Sequence, residues 1–355
     1  MNQPYDVPSW ASQLTYQPSH TLPLGLLPTP IQRWHLPHFP QDKTYWIKRD
    51  DLSGMALSGN KIRKLEFLLA DAQAKGCDVV LTCGGIQSNH CRATAVAARR
   101  VGLDSVLFLR TKEPENDPGL SGNLLLHRLA GANIQLINHE EYRQRNALMK
   151  AHAETLSAQG RRPYIIPEGG SNALGAWGYI EAMREINTQA AQLGVTFDHI
   201  VFACGSGGTA AGLSLGAALS APQTRVHAVN VCDDADYFYA HVDQVLTTLG
   251  VSSQARDILD MVDGYKGLGY AISQDKELQL LTQTAQQTGI FLDPVYTGKA
   301  HFGLLDQLQH HPTRFPGEHI LFIHTGGLFG LYAKQDQLLT CLPEGQVQRH
   351  TPSSS

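Results

Sequence analysis

Short runs of β-branched and apolar residues alternate along the chain with stretches of helical periodicity, and turns rich in Gly, Ser or Asn join them. That alternation predicts an α/β fold, with a parallel sheet built from strands and crossover helices. The apolar runs predict strands at 78–82, 105–109, 133–137, 163–166, 199–203, 226–231 and 319–324. Helices are expected between them, the clearest at 61–75, 90–101, 173–193 and 209–219. In the first, Ile62, Leu65, Leu68, Leu69 and Ala72 recur near helical spacing and Gly76 supplies a stop, so Lys61 falls in the opening turn. A Pro-rich lead occupies 18–40 and the polar stretch 110–122 suits a surface or lid loop. The serine tail 353–355 is expected to be disordered.

Composition narrows the classes of function. A chain of 355 residues accommodates two domains or one large α/β unit. A net charge of -4 without a basic stripe argues against a nucleic-acid partner. No apolar run reaches the ~20 residues of a membrane helix, and residues 1–8 lack the layout of a signal peptide, so a cytoplasmic protein away from membranes is expected. The cysteines (Cys77, Cys83, Cys91, Cys204, Cys232 and Cys341) lie in apolar stretches without CxxC pairs and read as buried free thiols. No histidine pair has HExxH spacing, and His310 and His311 read as part of a polar loop, so no metal is expected.

Four constellations carry candidate chemistry, most of them in loops that follow strands, where α/β folds bind ligands. The first runs from Lys48-Arg49-Asp50-Asp51 to Ser58-Gly59-Asn60-Lys61-Ile62-Arg63-Lys64. It reads equally as a solvated helix start or as the setting of an amine nucleophile, Lys61, whose pKa is lowered by desolvation and by Arg63 and Lys64. The second, Cys83 to His90, offers helix-start amides with Ser88 and Asn89 to an anion; simple helix capping with a surface His90 is the plainer alternative. The third, Cys204-Gly205-Ser206-Gly207-Gly208-Thr209-Ala210, lets a phosphate approach the backbone. It also satisfies a dinucleotide fingerprint, with Asp233 near the distance of a ribose contact, which leaves NAD as a rival. The fourth groups Gly267 to Tyr270, Asp293 to Lys299 and His324 to Gly327; its tyrosines and threonines offer uncharged proton donors, or in the plain reading packed aromatics.

Together the motifs SGNKIRKLEF, GGIQSNHCRATA, PEGGSNALGAWGY, ACGSGGTAAGLSLG and DPVYTGKA resemble, in order and over nearly the whole chain, the pyridoxal-phosphate enzymes that contain D-cysteine desulfhydrases and 1-aminocyclopropane-1-carboxylate deaminases. The resemblance removes the dinucleotide reading. It implies the tryptophan-synthase-β-like fold (fold type II): two three-layer α/β domains with pyridoxal 5'-phosphate between them, a large one at 1–56 plus 177–355 and a small one at 57–176. It assigns Lys61 as the Schiff-base lysine and Asn89 as the partner of the cofactor's phenolic oxygen. Gln87 and Ser88, with Asn89, become substrate contacts, and Gly205, Ser206, Gly207, Gly208 and Thr209 the phosphate loop, with Lys64 as supporting cation. Tyr270 and Tyr296 fall beside the substrate as proton-transfer groups, and Thr297 or Thr325 at the pyridine nitrogen. The deaminases carry glutamate where this chain has Thr297, which favours β-elimination of D-cysteine over ring opening. A ring-opening deaminase, an L-cysteate sulfo-lyase and a non-catalytic cofactor-binding protein are the alternatives, and a homodimer is implied.

Overall fold

The computed structural model describes residues 2–37, 39–342 and 347. All seven predicted strands form, and they divide between two sheets. The smaller has the order Asn133–Ile137, Asp104–Arg110, Val79–Gly85, Pro163–Ile165, wholly parallel. The larger has the order Asp260–Val262, Arg225–Asn230, His199–Cys204, His319–Ile323, Thr44–Lys48, Ile31–Arg33, in which the Ile31–Arg33 strand at one edge is antiparallel.

Helices cover both faces of each sheet, as parallel strands require. On the large sheet, Ile200 and Phe202 face a core that includes Trp177, Ile180 and Leu213, while Val201, Ala203 and Phe322 face Ala300, Leu304 and Leu308 of the helix Thr297–His310. On the small sheet, Leu81 and Phe108 meet Met149 of the helix Arg145–Ala158, and Leu107 and Leu109 meet Cys91 and Ala95 of the helix Asn89–Arg100. Val80 joins the first of these cores with Leu65 and Leu68 of the helix Lys61–Ala74, so one apolar body reaches both sheets. The small sheet lies within 57–176; residue 176, however, falls inside the unbroken helix Ala173–Leu193.

Three helices run in close contact there because glycines remove the side chains between them. A Cβ on Gly178 would come 2.5 Å from the backbone of Arg63, and one on Gly216 would come 2.7 Å from Met183. Through these contacts Ala173–Leu193 packs against both Lys61–Ala74 and Gly208–Ser220.

Several expectations need correction. His310 is the last residue of the helix Thr297–His310 rather than part of a loop. Four cysteines are buried, but Cys77 and Cys341 are only partly so. The Pro-rich lead contains two strands, His20–Thr21 and Ile31–Arg33. The stretch 110–122, by contrast, is the surface loop expected: largely exposed, it continues from the end of a strand without regular structure up to the helix Asn123–Leu129. The serine tail lies outside the described residues.

Candidate active site

The carboxyl ends of strands from both sheets open on one cavity of about 1010 Å³. Gly84 and Gly85 reach it from Val79–Gly85, Arg110 from Asp104–Arg110, Gly205 to Gly207 from His199–Cys204, Asp233 from Arg225–Asn230 and Thr325 from His319–Ile323. Such a crevice is where α/β sheets take ligands.

Lys61 enters from the first turn of its helix and makes no hydrogen bond or ion pair among the described residues. Burial pushes its amine down to about 8, with the Glu168 carboxylate pulling the other way. Lys64, fully buried behind it, donates to Gly169 O at 3.2 Å and Ser171 Oγ at 3.4 Å; burial, then Lys61, push its pKa well down. Arg63 does not contribute as expected. A residue two places on along a helix points to the opposite side, and the Arg63 guanidinium forks onto Asp50 at 2.7 and 2.9 Å and onto Glu185 at 2.9 and 3.0 Å.

The glycine loop opens the helix Gly208–Ser220 and is shaped as a cradle. A Cβ on Gly205 would come 2.7 Å from the Tyr296 ring, one on Gly208 would come 2.9 Å from Lys64 Nζ, and Gly207, at φ +78°, lies against His241. Ser206 accepts from Ser171 Oγ at 2.9 Å, and Thr209 accepts from Asn60 Nδ2 at 3.2 Å. Helix-start amides and two hydroxyls thus converge as phosphate donors beside an amine without a partner among the described residues, with Lys64 behind the loop, a donor set that fits pyridoxal phosphate.

Across the cavity, Ser88 is the N-cap of Asn89–Arg100, accepting from Cys91 N at 3.1 Å. Asn89 accepts at Oδ1 from Asn123 Nδ2 at 3.0 Å, which turns its own amide hydrogens to the cavity. The hydroxyls of Tyr270 and Tyr296 lie 2.8 Å apart. Burial raises both, Tyr270 to about 12, so both stay neutral at physiological pH.

Gln87 and Thr297 are not among the cavity's lining residues, nor are Lys64 and Gly208, which lie against each other behind the glycine loop. Gln87 donates to Ser121 O at 2.9 Å and accepts from Asn123 N at 2.9 Å, holding the end of the 110–122 stretch instead. Thr297 donates to Asp293 Oδ1 at 2.7 Å and accepts from Asp293 N at 2.7 Å, while the Asp293 carboxylate also takes the amides of Val295, Tyr296 and Thr297. Both side chains are consumed in that helix start, and of the two threonines Thr325 lines the cavity. His90, read as a surface residue, is buried with Nε2 2.8 Å from Thr82 Oγ1.

Other lining residues were not anticipated. Glu168 accepts from Tyr142 and pairs with Arg145 at 2.9 Å, and Arg110 lies over the rings of Tyr142 at 4.6 Å and Tyr270 at 5.3 Å. Glu168 and Ser171 sit in the motif PEGGSNALGAWGY directly after a strand, a position that signals a ligand loop; no local pattern marks Arg110.

Comparison with known proteins agrees with this architecture. The family model described as "Pyridoxal-phosphate dependent enzyme" matches residues 22–326. A bifunctional D-cysteine desulfhydrase/1-aminocyclopropane-1-carboxylate deaminase, mitochondrial, of Arabidopsis thaliana is 53% identical over 96% of this chain and 86% of its own. A D-cysteine desulfhydrase of Yersinia enterocolitica is 43% identical over 82% of this chain and 89% of its own. The crystal structure of an ACC deaminase homologue superposes with a TM-score of 0.78 at 40% identity, over 88% of this chain and 94% of that one.

Proposed function

We infer that this chain, which belongs to the pyridoxal-phosphate dependent enzymes and is a lyase of that family, is a D-cysteine desulfhydrase that converts D-cysteine and water to pyruvate, hydrogen sulfide and ammonia. The observation that carries the reading is the neutral Tyr270–Tyr296 hydroxyl pair, 2.8 Å apart, in the same cavity as Lys61, which has no partner among the described residues.

Lys61 would hold the cofactor's aldehyde carbon, Gly205 to Thr209 with Lys64 its phosphate, Asn89 its ring oxygen and Thr325 its pyridine nitrogen. When bound, pyridoxal phosphate supplies the electron sink that makes the substrate's α-proton acidic. Lys61, with a pKa of about 8, keeps a fraction of its amine unprotonated near neutral pH and takes that proton at Nζ. Ser88 and the helix-start amides beside it orient the substrate carboxylate. One tyrosine of the pair gives its proton to the departing sulfur, and the other stabilises the phenolate left behind through their hydrogen bond. Thr297 and Asp293, bonded to each other, offer no free carboxylate for the harder ring opening. We further propose a homodimer acting on small amino acids in the cytoplasm, with the division at 57–176 as its smaller domain.

A ring-opening deaminase is the second reading, favoured by the bifunctional name of the Arabidopsis relative. A panel of D-cysteine, L-cysteine, 1-aminocyclopropane-1-carboxylate and L-cysteate separates them. Sulfide release from D-cysteine is expected to exceed that from L-cysteine at least ~10-fold, the factor that 1.4 kcal/mol of discrimination gives. Production of 2-oxobutanoate at a comparable rate would establish the second reading, and a preference for L-cysteine would overturn the stereochemistry.

A further inference from the structure

Lys299 belongs to the DPVYTGKA motif, yet its side chain takes no part in the cavity. It is fully buried, and its ammonium donates to three backbone carbonyls of one segment: Lys266 O at 2.7 Å, Ile272 O at 3.0 Å and Gly269 O at 3.1 Å. An ammonium has three hydrogens, so these contacts saturate it. Lys334 Nζ adds a fourth tie to the same segment, donating to Ala271 O at 2.9 Å.

The segment that these lysines grip is anchored at its start, where Asn230 donates to Asp263 and Tyr265 bonds Asp306 and Gln307. Between 266 and 272, however, its backbone has only two turn hydrogen bonds of its own among the described residues, Gly269 N to Lys266 O and Ile272 N to Gly269 O. Residues 263–274 contain no helix or strand, Gly264, Gly267, Gly269 and Ala271 all have positive φ, and Leu268 and Ile272 expose their side chains. A backbone of that kind has a low intrinsic resistance to local opening. It nevertheless carries Tyr270, whose hydroxyl must meet Tyr296 and whose ring reaches across the cavity to within 3.6 Å of a Cβ built on Gly85. Without Lys299, three carbonyls directed at one buried point would lose their shared donor.

We propose that Lys299 is a positioning residue for Tyr270: it serves as an internal cation around which 266–272 folds, so that the tyrosine hydroxyl is held where the departing group needs a proton. The inference rests on the reading of the tyrosine pair as the proton donor in elimination.

The test uses the cofactor-loaded enzyme with Lys299→Ala, Lys299→Met and Tyr270→Phe, and two substrates that differ in the leaving group. The sulfur of D-cysteine departs more readily as it gains a proton, whereas β-chloro-D-alanine loses chloride, the anion of a strong acid, which gains nothing from one. For both Lys299 variants kcat on D-cysteine should fall roughly 10²-fold, the cost of misplacing a reacting group by about 1 Å, with β-chloro-D-alanine within about threefold of wild type. Amide hydrogen exchange should quicken in 263–274 and not elsewhere. n-Propylammonium, which replaces the missing side chain, should restore at least ~10-fold of the lost rate to the Ala variant and none to the Met variant, where the space is filled. Equal losses on both substrates, or faster exchange throughout the chain, would reduce Lys299 to general support and overturn the proposal; so would wild-type rates in both variants. Failure of the functional reading itself appears separately, as a wild type that releases no sulfide or a Tyr270→Phe at full rate. In that case unchanged exchange in 263–274 of the Lys299 variants would dispose of the clasp too.

Discussion

Lys61 and Arg63 leave the same helical turn two residues apart and meet opposite conditions. Arg63 is buried among Asp50, Glu185 and Thr29, with Tyr179 donating to Asp50 at 2.6 Å and Lys48 to Glu185 at 2.5 Å. Lys61 faces a cavity and has no partner among the described residues. Burial opposes charge in both places. Around Arg63 it is overcome, since Arg63, Lys48 and the Tyr179 hydroxyl hold the buried Asp50 down to about 2. Around Lys61 nothing overcomes it, and the amine falls to about 8. Burial by itself therefore does not make a group reactive; burial without a partner does. The satisfied side fixes the helix, and the fixed helix holds the unsatisfied lysine in place.

The strongest way to break the comparison is to remove the unsatisfied member. Lys61→Ala should lower turnover by at least ~10³-fold, since it removes both the nucleophilic amine and the base. It should leave the fold intact and abolish the lysine adduct that borohydride traps in the wild type; near-normal activity would mean that the assignment is wrong. Next in size is the satisfied side. Asp50→Ala strands Arg63, and breaking a buried pair in this way costs about 3–5 kcal/mol. Urea denaturation should register that loss, and a change below about 1 kcal/mol would mean that Glu185 alone satisfies the guanidinium.

The smallest effect sharpens the contrast through pH. Below about 8 Lys61 is protonated in the folded and unfolded states alike, so it adds no pH dependence. Between about 8 and the ordinary lysine value of 10.5 this lysine binds more protons in the unfolded chain, so its own contribution to the stability of the cofactor-free protein should rise with pH, against the opposite contribution of the buried cysteines, whose thiols burial raises. Lys61→Met should lose that part of the slope, while the contributions of the cysteines and of the other buried lysines, among them Lys48, Lys64 and Lys299, which burial also lowers, persist. Identical slopes in the two proteins would count against a depressed Lys61.

The central strands were legible because they are buried on both faces and read as unbroken apolar runs, as in His199–Cys204 and His319–Ile323. Thr44–Lys48 was not, because it ends in a lysine that looks solvated until Glu185 and Gln189 arrive from far along the chain. Asp260–Val262 is too short to carry a period. In the site, the glycine loop and Lys61 announce themselves locally, since each depends on its own turn. What sequence could not decide was direction. Whether Thr297 or Thr325 meets the cavity depends on Asp293 capturing one hydroxyl, and whether Gln87 meets it depends on a contact with Asn123.

Gly178 and Gly216 lie outside the cavity, yet they set the spacing between the helix that begins at Lys61 and the helix that begins at the glycine loop. They work as the shims of an instrument, fixing a separation that neither end could correct. In a saturation survey, alanine at these remote positions would therefore score like damage to the active site. A map of activity drawn from such data would extend the catalytic apparatus well into what is only packing.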